Sequence, residues 1–253
     1  MAFIQMDYYS KALTRSTDVA VILPENNTEN GLYPVLWLLH GAMGNYGDWW
    51  RFTSVELYAE QYGIAVVMPS ADNSFYANIS TGRYFDFVAN ELFYDLAGMF
   101  PFDTARKKNI VGGLSMGGHG AYKFGLTKPE QYGGVGIFSA GNFIDLGDPP
   151  AGILAELNMR IFGTTHVKDL EGSEHDILNL ARKAAERKGE LPALFVCCGT
   201  EDRAFDSAKT TYNYLTELGF QGEWHQDTGK HDMYFWGKML PAMMEWCKRT
   251  VES

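Results

Sequence analysis

Short apolar runs alternate with amphipathic segments along most of the chain. Val19–Leu23, Val35–Leu39, Ala65–Met68, Ile110–Gly113, Val135–Ser139, Leu194–Cys198 and Glu223–Gln226 read as strands. Most are apolar without a break, the pattern of interior strands in a sheet covered on both faces. Helical spacing fills the intervals at Ser54–Gln61, Ala89–Met99, Gly117–Leu126, Glu174–Arg187, Phe205–Leu218 and Met233–Thr250. Strand and helix in alternation predict an α/β fold with a mainly parallel central sheet flanked by helices. The first two strands stand close together and are expected to form an antiparallel edge. No repeat, low-complexity tract or linker divides the chain, so one domain over 1–253 is expected. One connection breaks the rhythm. The stretch from Ser139 to Glu174 far exceeds the roughly 2–6 residues of an ordinary strand-to-helix loop, and insertions of that size are more often functional than idle. Residues 142–173 are read as a small cap over the C-terminal edge of the sheet.

Composition narrows the class. The 253 residues are 46% hydrophobic and 21% charged, as in an ordinary soluble globule, which excludes a disordered tail, a collagen-like chain or a coiled coil. Lys plus Arg is 21 against 31 for Asp plus Glu, a net charge of −10 with no basic block. Such a chain is a poor binder of phosphate backbones, and no nucleic-acid partner is expected. No apolar stretch approaches the roughly 18 residues of a membrane span, so no membrane partner is expected either. The opening MAFIQMDYYSKAL lacks the apolar core of a secretory signal. Three cysteines, Cys197, Cys198 and Cys247, leave at least one thiol unpaired. A reducing, cytoplasmic setting follows, in which the sequons at Asn26 and Asn78 are chance matches. Whether the chain forms a homo-oligomer stays open.

The most informative segment is Gly113-Leu114-Ser115-Met116-Gly117, a G-x-S-x-G between an apolar strand and a helical run. A strand that turns sharply into a helix forces its middle residue into a strained conformation and exposes the serine hydroxyl at the strand end. The plainer alternative is a glycine-rich turn whose serine only caps the helix. A serine needs a base to become a nucleophile, and the base needs a carboxylate to fix its tautomer. In this arrangement acid and histidine follow the serine in that order. Asp202, in the turn after Leu194–Cys198, is the expected acid, ahead of Glu201 and Asp206. Asp206 falls where a first helical turn begins, and dipole stabilisation explains it well enough. His231 lies between the last strand and the last helix, where the base belongs. His119, His166, His175 and His225 occupy helix, cap and strand positions that suit packing or surface.

An acyl-transfer intermediate needs donors for its oxyanion. One is expected from the N–H of Met116. The other is expected from the loop His40-Gly41-Ala42-Met43-Gly44, through the N–H of Ala42. Met43, Trp49 and Trp236, with Phe143, Ile144, Leu146, Ile153 and Leu154 of the cap, could wall an apolar pocket; packing of cap on sheet explains any one of them equally well. There is no H-E-x-x-H, no paired C-x-x-C, no P-loop and no G-x-G-x-x-G, so no metal and no cofactor is expected.

Taken together, Glu91-Leu92, Gly113 to Ala121, Phe138-Ser139-Ala140-Gly141, Cys198 to Asp202 and Gly229-Lys230-His231-Asp232 resemble the esterase D group of α/β-hydrolases. The resemblance runs from about Val19 to the last helix and is nearest to the bacterial short-chain (tributyrin) esterase branch. It implies an α/β-hydrolase fold, a Ser115–His231–Asp202 triad, oxyanion donors at Ala42 and Met116, and a small acyl ester as substrate. Related branches are S-formylglutathione hydrolases, feruloyl and acetylxylan esterases, and mycolyl transferases. The S-formylglutathione branch carries a serine–glycine–leucine loop followed by cysteine where this chain has His40-Gly41-Ala42-Met43, which lowers the thioesterase alternative. Transfer to an acceptor other than water shares the same acyl-enzyme, and a binding protein that keeps the fold without the chemistry carries least weight.

Overall fold

The computed structural model describes residues 1–25, 31–187 and 189–253. The sequon at Asn26 lies outside them; Asn78 hydrogen-bonds Asp86 through its side-chain amide, 2.9 Å. Eight strands form one sheet: β1 (Ala2–Ser10), β2 (Arg15–Leu23), β3 (Val35–Leu39), β4 (Ala65–Pro69), β5 (Asn109–Leu114), β6 (Gly134–Phe138), β7 (Ala193–Gly199) and β8 (Gly222–Asp227). Their spatial order is β1-β2-β4-β3-β5-β6-β7-β8. The β1–β2 and β2–β4 pairs are antiparallel and every other pair is parallel.

The antiparallel edge therefore differs from expectation. The strand at Val19–Leu23 pairs with β1 and β4, not with β3, which lies beyond β4. Parallel β3 and β4 need a crossover, supplied by the short helix Asp48–Phe52 and α1 (Val55–Tyr62). β1 itself eludes the apolar-run criterion: AFIQMDYYS mixes polar and apolar positions because an edge strand leaves much of itself in water.

The pleat divides the core. Val35, Trp37 and Leu39 of β3 face one hydrophobic cluster, with Val111, Val135 and the Ala121, Tyr122 and Phe124 side chains of α3 (Met116–Thr127). Leu36 and Leu38 face the other, with Phe138 and Phe195. The last helix, Met233–Glu252, covers that face with Leu240, Met243 and Met244. Alternate side chains of one wholly buried strand thus feed two cores, which explains its unbroken apolar run. The remaining helices largely match the expected spans. Ala89–Met99 is the exception, since helical structure starts at Tyr84, runs through a π-type stretch at Phe87–Leu92 and ends as α2 (Phe93–Met99).

Between β6 and the helix Ile177–Ala185 the chain forms a 3₁₀ turn at Phe143–Leu146, α4 (Ile153–Phe162) and a second 3₁₀ turn at Val167–Leu170. Ile144, Val167 and Leu170 make a small cluster separate from the two main cores, with Phe143 and Phe162 packed against it. Asp176 ends this segment by capping α5 (Ile177–Ala185), accepting from the N–H of Leu178 at 3.1 Å and of Asn179 at 3.3 Å. No helix among the described residues is long and apolar enough to cross a membrane.

Glycine is demanded where backbones touch. A Cβ on Gly113 would stand 2.5 Å from the Gly117 carbonyl and 2.8 Å from the Leu39 Cβ. By contrast Gly98, in α2, has nothing within 4 Å of that position. Gly113→Ala is expected to lower stability by about 2 kcal/mol or more through overpacking. Gly98→Ala is expected to raise it by about 0.5 kcal/mol, since alanine loses less backbone entropy in a helix. Urea unfolding of both variants checks the opposite signs.

Candidate active site

β5 ends at Leu114 and α3 begins at Met116, so Ser115 alone makes the turn. Its backbone takes φ 52°, ψ −116°, a region that non-glycine residues occupy only when the surroundings enforce it. Two bonds do so. The Ser115 N–H donates to the Phe138 carbonyl at 2.9 Å, and its carbonyl accepts from the His119 N–H at 3.0 Å. The side chain is left facing the loop between β8 and the last helix.

There the structure brings the three expected residues together. Ser115 Oγ lies 2.8 Å from His231 Nε2, and His231 Nδ1 lies 2.9 Å from both carboxylate oxygens of Asp202. Nδ1–H facing a carboxylate leaves Nε2 to accept the serine proton, the tautomer that base catalysis requires. The Asp202 side chain is fully buried. Burial pushes its pKa up, but hydrogen bonds from His231, from the Ala204 N–H (2.8 Å) and from Ser139 outweigh it and hold the carboxyl below its ordinary value. Asp206 lies in the first turn of α6 (Phe205–Glu217), as expected, and makes no described bond to His231. The loop carrying His231 is pinned by its neighbour Asp232, which caps the last helix, α7 (Met233–Glu252), through the Phe235 N–H at 3.0 Å.

The loop after β3 stands against the start of α3. A Cβ on Gly41 would meet Ser115 Cβ at 3.6 Å, and one on Gly117 would meet the His40 and Leu39 carbonyl oxygens at 2.6 Å. His40 is buried and shapes the loop rather than the chemistry. Its Nδ1 contacts the Gly41 carbonyl at 2.7 Å, and its Nε2 accepts the Ala71 N–H at 2.9 Å. Burial lowers its pKa, so the ring stays neutral with its proton on Nδ1. The N–H of Met116 opens α3, where no intrahelical acceptor exists. That of Ala42 enters no described hydrogen bond, whereas the next one, Met43 N–H, is taken by Asn73 Oδ1 at 2.6 Å.

A cavity of about 110 Å³ opens over the serine, lined among others by Met116, Ala140, Phe143, Leu146, His119 and Phe75. Phe143 and Leu146 therefore sit where the sequence expectation put them. Trp49 does not: it is buried in the core, donating to the Leu39 carbonyl at 3.0 Å and packing edge-on against Phe138. Met43 is 84% exposed and lies outside the cavity, as do Ile153 and Leu154 on the outer side of α4. Ile144 is buried in the small cluster beneath. Trp236 is a support rather than a wall. Its ring meets His231 edge-on at 5.1 Å, and its Nε1–H donates to Ser139 Oγ at 2.8 Å. Ser139, itself at φ 52°, thus links Trp236 to the Asp202 carboxylate.

Phe75, His119 and Arg203 are among the wall residues that sequence reasoning missed. The His119 ring stands edge-on to Phe75 and Phe143, at 5.7 and 5.0 Å, and burial pushes its pKa well down. Phe75 sits in a loop after β4 with no sequence signal of its own. No group of three or more His, Cys, Asp or Glu among the described residues could hold a metal ion.

This fold and this constellation define an α/β-hydrolase of the serine-hydrolase class. The structure superposes on the fluorophosphonate-binding serine hydrolase F of Staphylococcus aureus, solved with substrate bound, at a TM-score of 0.89 and 28% identity over 98% of both chains. The S-formylglutathione hydrolase of the same organism gives 0.87 at 28% identity, again over 98% of both. The sequence is 32% identical to the acetyl esterase of Caldicellulosiruptor saccharolyticus over the full length of each. The family model described as "Putative esterase" matches residues 10–247, and the chain belongs to that family: it is a carboxylic ester hydrolase.

Asp202→Asn is expected to leave the fold intact and lower kcat by about 10⁴, as loss of the orienting carboxylate does elsewhere. Asp206→Asn should cost stability at most. Because the folded Asp202 carboxyl sits below its unfolded value, its contribution to stability is present above the ordinary carboxylate range, about pH 4, and is lost as pH falls through the folded pKa. Urea midpoints measured from neutral to acid pH should therefore fall less steeply for Asp202→Asn than for the unmodified protein.

Proposed function

We propose that this protein hydrolyses short-chain acyl esters, in the manner of the tributyrin-esterase branch, with Ser115 as nucleophile, His231 as base and Asp202 as its orienting acid. The observation that carries the proposal is the unbroken relay from Ser115 Oγ through the His231 ring to Asp202, 2.8 and 2.9 Å, at the floor of a small apolar cavity. His231 Nε2 takes the serine proton as Oγ attacks the ester carbonyl, and Asp202 stabilises the imidazolium. The N–H groups of Met116 and Ala42 receive the oxyanion, each such donor being worth about 3 kcal/mol to the transition state. His231 then gives its proton to the departing alcohol. Water, activated by the same imidazole, releases the acid from the acyl-enzyme.

Cavity size supports a short acyl group. About 110 Å³ is well below the roughly 300 Å³ at which pockets for drug-sized ligands begin. The thioester alternative draws on the likeness to S-formylglutathione hydrolases, at 28% identity to the Staphylococcus aureus enzyme. Against it stands the His40-Gly41-Ala42-Met43 loop, with Met43 turned to solvent. Buried, unpaired Cys197, Cys198 and Cys247 support a reducing, cytoplasmic setting.

Ser115→Ala and His231→Ala are expected to abolish p-nitrophenyl ester hydrolysis while circular dichroism stays native, and a fluorophosphonate probe should label the unmodified protein at Ser115 alone. Near-normal turnover by either folded variant would sink the assignment. Across p-nitrophenyl esters graded by length, kcat/KM should climb by up to about fourfold per methylene that fits, at ~0.8 kcal/mol each. It should peak between acetate and butyrate or slightly beyond and then drop steeply. Fastest cleavage of palmitate would show that residues 142–173 act as a mobile lid, not a fixed cap.

A further inference from the structure

The wall of the cavity over Ser115 carries one fixed charge, and it is positive. Arg203 lines it together with His231, Ala204 and Leu146. The two other ionisable wall residues are histidines, of which His119 is kept neutral by burial, and no carboxylate faces the cavity. This is unexpected in a chain with 31 acidic against 21 basic residues. Arg203 is also unoccupied by the protein itself. Arg15, Arg83, Arg106 and Arg249 hold carboxylates, and Arg182 and Arg187 hold amide oxygens; Arg51 and Arg160 have no such partner described either, but neither lines the cavity. The Arg203 guanidinium, exposed at the rim, makes no described hydrogen bond or ion pair. The backbone on either side of it is tied down, the Asp202 N–H donating to the Gly199 carbonyl and the Phe205 N–H to the Asp202 carbonyl, each at 3.0 Å. Arginine presents a planar fork of donors that matches a carboxylate, and it stays charged at every working pH.

We propose that Arg203 forms an anion subsite at the mouth of the catalytic cavity, so that preferred substrates are esters carrying a carboxylate a few bonds from the scissile carbonyl. The proposal rests on the esterase reading above and specifies its substrate class. A neutral short acyl chain would fill the apolar floor alone, and an anionic group would add the contact with Arg203 at the rim. The guanidinium is exposed to water, so its effect is that of a screened ion pair and falls with ionic strength.

Two matched pairs of esters test it. One places the charge on the alcohol side, 4-acetoxybenzoate against methyl 4-acetoxybenzoate. The other places it on the acyl side, the p-nitrophenyl monoester of adipic acid against p-nitrophenyl hexanoate. In at least one pair the anionic-to-neutral ratio of kcat/KM should fall about two- to fivefold in Arg203→Gln, fall further in Arg203→Glu and be partly kept in Arg203→Lys. The same ratio in the unmodified protein should fall as sodium chloride is raised. The pair that responds identifies the side on which the anion sits. Ratios that ignore both salt and all three substitutions would overturn the subsite while leaving the esterase reading intact. If Arg203→Gln fails to fold, the salt dependence of the unmodified protein and the lysine variant still decide the matter. Absence of turnover on every ester, with no fluorophosphonate labelling, would overturn both.

Discussion

Direct contact between backbones at one turn sets the position of everything else in the site. Gly117 lets the first turn of α3 press against the carbonyls of Leu39 and His40, where a Cβ would come within 2.6 Å. That contact seats the loop carrying Ala42 beside the N-terminus of the helix that carries Met116. The sharp bend at Ser115 is the other side of the same packing, because a gentler turn would move α3 off β3. Strain in one residue is held by the many buried contacts of β3, β5 and β6 on either side.

A second constraint is the buried carboxylate of Asp202. A charge out of water has to be matched by donors, and here they come from three directions: the His231 ring, the Ala204 N–H and Ser139. Ser139 in turn accepts from Trp236, on the helix that follows His231. Asp202 and His231 are therefore tied together twice, once directly and once around the back through Ser139 and Trp236. Such closure limits how far the imidazole can rotate away from the serine.

Much of this was legible in the sequence, and the parts that were not have physical reasons. Interior strands announce themselves because both faces are buried, which is why β3 to β7 stand out while the half-wet β1 does not. Ser115, Asp202 and His231 could be placed because each follows a strand in a fixed order, and strand ends are well defined. Side-chain direction was harder. Trp49 and Trp236 both lie near the loops in sequence, yet one points into the core and the other packs against the His231 ring. Phe75 and Arg203 reach the cavity from loops whose course no periodicity encodes.

The hydrogen bond between Ser115 and His231 spans 116 positions of chain. β8 docks beside β7 at the far edge of the sheet, and only then does the loop carrying the imidazole reach the serine. During synthesis from the N-terminus, the turn at Ser115 can form its local strand and helix long before residue 231 exists. Until then the relay from Ser115 to Asp202 lacks its middle member, and the serine hydroxyl stands without its imidazole partner. The relay is complete only with the final strand and helix in place beside β7, so its geometry reports on the packing of the whole sheet.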